Sequence, residues 1–303
     1  MQPRPAASPT LVQQLPTTPG PSAAADPTTG GRAPDPGAGG PDASWPRFRQ
    51  CVQTAAETLL EDCGQWDTAS PAMKTIAQQV IQALRSNFWE GPPEATASLG
   101  SEAGISHVAL CSASMGRAWQ TQLALPINLW HLLPWRNHCH VTLVTFGADA
   151  ELIQFCFREL EWACQSKFLV LATGGAARAA AATRLPRCSG PELDSWNSSA
   201  AKNAAHKVGL VTAPAGQDPH QMVLVNLDTD DLLGPEYMPA LVRTVGDAKK
   251  LWPGPCPAIR AGHGPVSGRV AIFAKDFCAL GGYDQELDVA PAGQAHRLAF
   301  RNS

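Results

Sequence analysis

The feature that most constrains this chain is a short apolar run that ends abruptly in acidic residues. It lies within Gln221 to Leu233, which reads QMVLVNLDTDDLL. An apolar run of four residues, two of them β-branched, bounded by polar turn formers predicts a strand that is buried on both faces. The run is Met222 to Val225, and the residues that follow it are Asn226, Asp228, Asp230 and Asp231.

The acidic residues set an electrostatic requirement. Three carboxylates at the end of a buried strand repel one another and resist removal from water. We therefore expect positive charge beside Asp228 and Asp230, and a divalent cation is the simplest candidate. The alternative is an acidic turn in water, which is the usual outcome for an isolated Asp-X-Asp.

The surrounding sequence alternates between apolar strand patterns and helical patterns. Further strands are predicted at His107–Cys111, Cys139–Phe146 and Phe168–Ala172, and helices at Trp119–Trp130, at Glu151–Trp162 and within Ser195–Val208. This alternation predicts an α/β fold, a Rossmann-like, mostly parallel sheet with helices on both faces. Ligands of such sheets bind beyond the carboxyl ends of the strands. The polar turns after the first, second and fourth strands, including Ser112 to Arg117, are therefore expected at one edge.

The chain divides into three regions. Residues 1–44 are rich in Pro, Ala and Gly and are predicted to be disordered, because they cannot bury enough apolar surface to offset the cost of ordering. Residues 45–90 are predicted to be a helical appendage of two helices, the second with Ser70 as N-cap and Pro71 at the first helical position. Residues 104–303 form the main domain, which ends with a strand at Gly268–Ala274 and a helical turn closed by Gly281.

Composition excludes several classes of protein. A net charge of −3 without long runs of either sign predicts no nucleic-acid partner. No apolar segment approaches the roughly 18 residues of a membrane span, and the amino terminus lacks a signal peptide. The sequence as it stands predicts a cytoplasmic protein, with the Golgi as the alternative if the gene model is incomplete. Nine cysteines without a C-x-x-C pair predict free thiols.

Three motifs together resemble a known family. The chain carries a Lys202-Asn203 pair on a predicted helix, then the Asp228-X-Asp230 strand end, then Gly281-Gly282-Tyr283-Asp284. This arrangement resembles glycosyltransferases of the A-type fold, above all family-2-like enzymes and the carboxyl-terminal domain of the β-1,4-galactosyltransferase family. The similar pieces extend from about Val108 to Asp284.

The resemblance implies a metal-dependent glycosyltransferase, which moves a sugar from a nucleotide-diphosphate donor to an acceptor that the sequence does not identify. It implies Mn²⁺ or Mg²⁺ at Asp228 and Asp230. The donor and its nucleotide would be bound by Ser112, Arg117, Asp149, Lys202, Asn203 and Asp228. The alternative for Lys202 and Asn203 is a polar helix face, and for Arg117 a solvated turn residue.

The catalytic base is the point where the sequence departs from the family. The resemblance implies an acidic motif after the Gly-Gly-Tyr-Asp element that would deprotonate the acceptor hydroxyl. Here that motif is missing, and Asp284 and Glu286 are the base candidates. We therefore expect a domain that is incomplete at its carboxyl-terminal end. A nucleotide-sugar-binding pseudoenzyme and a non-catalytic interaction protein stay open as alternatives.

Overall fold

The computed structural model describes residues 41–65, 71–86, 91–99, 104–146, 150–173, 197–251, 259–260 and 270–283. The strands are β1 (His107–Ser114), β2 (Cys139–Thr145), β3 (Leu169–Thr173), β4 (Met222–Asn226), β5 (Ile259–Arg260) and β6 (Val270–Phe273). The helices are α1 (Pro41–Gln65), α2 (Pro71–Ser86), α3 (Ala118–Leu132), α4 (Ala150–Glu159), α5 (Glu161–Gln165), α6 (Ser198–Thr212), α7 (Tyr237–Leu251) and α8 (Ala274–Leu280). A 3₁₀ turn, Leu133–Trp135, follows α3.

The six strands form one sheet in the order β3-β2-β1-β4-β6-β5. The pairs β1–β2, β2–β3 and β1–β4 are parallel, whereas β6 runs antiparallel to β4 and β5 antiparallel to β6. The predicted mixed α/β fold with a mostly parallel sheet is therefore confirmed.

Helices cover the sheet on both faces, because successive strand residues point to opposite sides. In β1, Val108 and Leu110 lie in one apolar cluster, while Ala109 and Cys111 lie in a second. The first cluster joins the sheet to α1, α2, α3, α4, α5 and α7, and the second joins it to α6 and α8. Near-continuous apolar strands are what a sheet buried on both faces requires.

Helix α6 lies unusually close to the sheet. A Cβ atom at Gly209 would stand 2.7 Å from Cys111 Sγ and 3.1 Å from Ala109 Cβ, so glycine permits the approach. The side chain of Asn197 caps the helix by accepting from the backbone N–H of Ala200 at 2.7 Å. The chain leaves α6 to enter β4, so the first turns of α6 lie at the carboxyl edge of the parallel strands.

Helix α1 belongs to the main core. The ring of Trp162 in α5 lies 5.0 Å from that of Trp45 and 5.2 Å from that of Phe48, centroid to centroid. These ring contacts pack α1 against α5, and α2 in turn lies against α1. None of the helices in the described ranges is long and apolar enough to cross a membrane.

Several predicted boundaries are wrong. Helix α1 begins at Pro41 instead of Trp45, since proline is well suited to a first helical turn; residues 1–40 of the predicted disordered segment lie outside the described residues. Strand β1 continues to Ser114, so Ser112 belongs to the strand and not to the turn. The predicted helix 151–162 is two helices, broken at Leu160.

Two elements were not predicted at all. Helix α7 buries Met238, Leu241 and Val245 at helical spacing, but Pro239 and Gly246 obscure the pattern. Strand β5 is two residues long and is defined only by its pairing with β6. Its existence depends on tertiary contact, which local sequence does not contain.

Candidate functional site

The strand order creates one natural crevice in the sheet. From β1 the chain adds β2 and β3 on one side, then returns to add β4 on the other side of β1. Ligands of open α/β sheets bind at such a reversal, outside the carboxyl ends of the two strands concerned. Here those are the ends of β1 and β4, which we call the β1–β4 crevice.

The two strand ends are joined directly. Leu227 donates its backbone N–H to the carbonyl of Cys111 at 3.0 Å. The hydroxyl of Ser112 is buried and donates to the carbonyl of Leu227 at 2.8 Å. Ser112, a predicted donor-binding residue, therefore anchors the acidic turn to β1.

An ion pair spans the crevice. The guanidinium of Arg117, which follows β1, lies 2.8 Å from the Asp230 carboxylate, which follows β4. Gly116 reverses the chain between β1 and α3 with φ of +65°, a conformation that favours glycine. The side chains of Arg117 and Asp230 are 54% and 48% exposed, so a ligand has access to both.

A second ion pair lies beside the first. Lys202 Nζ, in α6, stands 3.8 Å from Asp228 Oδ1, and the side-chain amide of Asn226 donates to the same oxygen at 3.1 Å. Both charged side chains are partly exposed, at 25% for Lys202 and 37% for Asp228. The acidic turn therefore forms ion pairs with basic side chains from two parts of the chain, the turn after β1 and helix α6.

Together the four side chains form a charge-balanced cluster. Arg117 and Lys202 supply the positive charge that Asp228 and Asp230 require, so the protein itself meets part of the demand predicted for a metal. Helix α3 begins beside Arg117 without a side-chain N-cap hydrogen bond, and its first backbone N–H groups carry the positive end of the helix dipole.

Asn203 has a different environment from the one predicted. Its side chain is buried; the amide nitrogen donates to the Tyr283 carbonyl at 2.9 Å and the amide oxygen accepts from the Tyr283 N–H at 2.7 Å. Both polar ends are used, so in this structure Asn203 positions the turn that precedes Asp284 and does not face a donor. Gly282 completes the turn with φ of +88°, where a Cβ would collide with Asn203 Oδ1.

Aromatic rings pack beneath this turn. The His206 ring stacks on Phe277 with centroids 5.0 Å apart and meets the edge of Tyr283 at 5.3 Å. His206 Nδ1 lies 2.8 Å from the carbonyl of Lys202, which only accepts, so Nδ1 carries the proton. Burial lowers the pKa of His206 to about 4 and keeps the ring neutral. Burial, together with Cys111 and Asp228, raises the pKa of Tyr283.

One residue important for the acidic turn was missed in the sequence. Asn128 in α3 is buried; it donates to the carbonyl of Asp231 at 2.8 Å and accepts from the backbone N–H of Leu233 at 2.7 Å. A single amide in the apolar segment LALPINLWHL is the signal that points to it. Asn128 and Ser112 hold the turn from two sides.

The predicted site residues thus fall into three groups. The crevice brings together Arg117, Lys202, Asp228 and Asp230, whereas Ser112 and Asn203 hold backbone. The predicted residues outside the described ranges are Asp149, Asp284 and Glu286.

The two aspartates suit a hard cation. The described ranges contain no group of three or more His, Cys, Asp or Glu side chains that could hold a metal ion. Mg²⁺ needs no such group, since it is usually bound by one or two carboxylates, substrate phosphates and water. Asp228 and Asp230 present oxygen ligands of this kind, and both are open to solvent.

Comparison with known proteins adds no relative. No protein-family model, curated protein or solved structure matches the chain. A functional hypothesis for this chain therefore depends on its own motifs, strand order and side-chain geometry.

Proposed function

We propose that the chain is a metal-dependent glycosyltransferase that binds a nucleotide-diphosphate sugar in the β1–β4 crevice. The observation that carries the proposal is the pair of ion pairs, Arg117–Asp230 and Lys202–Asp228, at the carboxyl ends of the two strands. The strand order, with an antiparallel β6 beside β4, supports a Rossmann-like arrangement of the A-type. Fold alone does not define a function, so the proposal depends on the charged residues of the two ion pairs.

Charge balance is the reason to expect that the donor and the metal bind together. The four charged side chains sum to zero, and each phosphate of the donor adds negative charge. Phosphate oxygens compete with the aspartates for Arg117 and Lys202, because arginine and lysine both form charge-assisted hydrogen bonds with phosphate. This exchange frees carboxylate oxygens of Asp228 and Asp230. Mn²⁺ or Mg²⁺ held there would neutralise the diphosphate as a leaving group.

The acceptor base belongs to the segment after Tyr283. Asn203 fixes the backbone of Tyr283 at this edge of the sheet, and Asp284 is the next residue in the chain. Asp284 and Glu286 are the candidates that would take the proton of the acceptor hydroxyl as it attacks the sugar.

A nucleotide-sugar-binding pseudoenzyme is the second candidate. One observation favours it: both aspartates already have basic partners within the protein. A diphosphate can then be bound by Arg117 and Lys202 without a metal, and no transfer follows. The two candidates differ in whether the sugar–phosphate bond is broken.

The test is a product assay with the full chain. Galactose, glucose, N-acetylglucosamine and N-acetylgalactosamine on UDP, and mannose on GDP, are incubated with Mn²⁺ and a panel of oligosaccharide acceptors. Donor binding is measured by calorimetry, and release of the nucleoside diphosphate is measured together with glycosylated product. The glycosyltransferase proposal predicts release that is lost in Asp228→Asn/Asp230→Asn but retained in Glu236→Gln, an exposed carboxylate on the following loop.

Three results are informative. Acceptor-dependent release supports the enzyme. Donor binding without release supports the pseudoenzyme. Neither binding nor release, with the variants folded, overturns both proposals and leaves an interaction protein.

A further inference from the structure

Two large apolar side chains at the β1–β4 crevice face solvent. Met115 is 37% exposed and Trp119 is 46% exposed, and they are the only exposed large hydrophobic side chains among the residues whose burial the structure describes. They flank Arg117, two residues away on either side. These two exposed apolar side chains thus lie on either side of the residue that forms the Arg117–Asp230 ion pair.

Trp119 lies outside the buried face of helix α3. The helix buries Thr121 and then an almost continuous series from Ala124 to Trp130, whereas Trp119 lies in its first turn and is about half exposed. Trp45, Trp130 and Trp162 are all nearly inaccessible. A half-exposed tryptophan beside a ligand crevice is the kind of surface that marks binding.

The turn is held firmly enough to present a fixed surface. The carbonyl of Arg117 accepts from the Thr121 backbone N–H at 3.0 Å and from its hydroxyl at 2.8 Å. On the strand side, the Phe146 backbone N–H donates to the carbonyl of Ser114 at 2.8 Å. The backbone on either side of the turn before Trp119 is therefore fixed by hydrogen bonds.

We propose that Trp119, with Met115 on the other side of Arg117 in the chain, forms a subsite for a pyranose ring at the turn that carries the ion pair. A pyranose has an apolar face of C–H groups and a rim of hydroxyls. Its slightly positive C–H groups suit the negative face of an indole, and the thioether adapts to an irregular apolar surface. The hydroxyl rim can bond to the carboxylate of Asp230 and the guanidinium of Arg117, since charged partners make the stronger hydrogen bonds.

This inference rests on the proposed function, and it names the ligand chemistry of the same crevice. The sugar has two sources, the donor or the acceptor, which share the pyranose chemistry. A nucleobase would also stack on an indole, but it has no hydroxyl rim for the ion pair. The experiment is arranged to tell these occupants apart.

The test compares wild-type protein with Trp119→Ala and Trp119→Tyr. Affinities are measured by calorimetry with Mn²⁺ for the five sugar nucleotides named above and for UDP, GDP and uridine. Free lactose and N,N′,N″-triacetylchitotriose are followed by saturation-transfer NMR. Gln120→Ala, on the same exposed helix turn, is the matched control, and circular dichroism checks that each variant is folded.

A sugar subsite predicts that Trp119→Ala weakens binding about three- to tenfold, that Trp119→Tyr retains part of it, and that Gln120→Ala changes nothing. If the donor sugar is the occupant, the loss is seen with a sugar nucleotide but not with UDP or GDP. If the acceptor is the occupant, it is seen with a free oligosaccharide.

Two results would overturn the subsite. An equal loss for the sugar nucleotide, its nucleoside diphosphate and uridine would mean that a base stacks on Trp119. No effect of Trp119→Ala on any ligand would mean that the exposed ring has no part in binding. If no nucleotide binds to wild-type protein, the proposed function fails, while the oligosaccharide measurement still decides the subsite.

Discussion

Replacing the buried side chain of Asn203 with alanine is expected to destabilise the protein strongly. The substitution removes the partners of the Tyr283 N–H and carbonyl, both buried and both bonded to the same amide. Leaving a buried backbone group without its partner costs about 1–3 kcal/mol. With partial relaxation of two such groups we expect the free energy of unfolding to fall by about 2–4 kcal/mol.

Equilibrium urea unfolding is the appropriate assay. Far-UV circular dichroism and tryptophan fluorescence are followed together, since coincident transitions justify a two-state free energy. Gln79→Ala is the control, because it removes an amide of similar chemistry from an exposed position of α2 and should change stability by less than about 0.5 kcal/mol. If Asn203→Ala lowers the free energy of unfolding as little as this control, the role of Asn203 in holding the Tyr283 backbone is refuted.

Three further predictions concern the pH dependence of stability, a glycine with positive φ and an exposed ion pair. Because burial lowers the pKa of His206 from 6.5 to about 4, the unfolded chain binds a proton first as pH falls, and stability decreases between pH 6.5 and 4. Urea titrations across this window give the free energy of unfolding at each pH. His206→Phe should reduce its slope against pH by up to about 1.4 kcal/mol per pH unit. An unchanged slope would show that His206 is not the source of this pH dependence. Gly282→Ala should destabilise more than Gly216→Ala in the same assay, since both have positive φ but only the first meets Asn203; equal effects would refute the steric argument. Asp230→Asn removes an exposed ion pair and should cost less than about 1 kcal/mol in thermal or urea unfolding, so a larger loss would show that the pair is structural.

The sequence predicts the sheet well because its strands are strongly apolar. Runs such as Met222 to Val225 are identified by composition alone, and the alternation of strands with helices indicates parallel pairing. The order of the strands in the sheet, in contrast, is not predictable from local sequence. That β4 lies beside β1, and not beside β3, follows from long-range contacts such as that between Cys111 and Asn226, and these are invisible in local sequence.

The candidate site likewise combines residues that the local sequence identifies with long-range contacts that it does not. Asp228 and Asp230 stand out because carboxylates after a buried strand are electrostatically unusual. Arg117 and Lys202 were expected to bind the donor, but their ion pairs with these aspartates are not evident in the sequence, since Arg117 is separated from Asp230 by 113 residues. Asn203 was found by its motif, but its environment is set by Tyr283, which lies 80 residues away.

The most direct test of the central claim is a calorimetric binding cycle with UDP or GDP, Mn²⁺ and the full chain. The charge-balanced crevice predicts that each ligand binds weakly alone and that Mn²⁺ strengthens nucleotide binding by about tenfold or more, with the nucleotide strengthening Mn²⁺ binding by the same factor. Asp228→Asn/Asp230→Asn should abolish this coupling. Failure of both nucleotides to bind in the presence of Mn²⁺ would contradict the account.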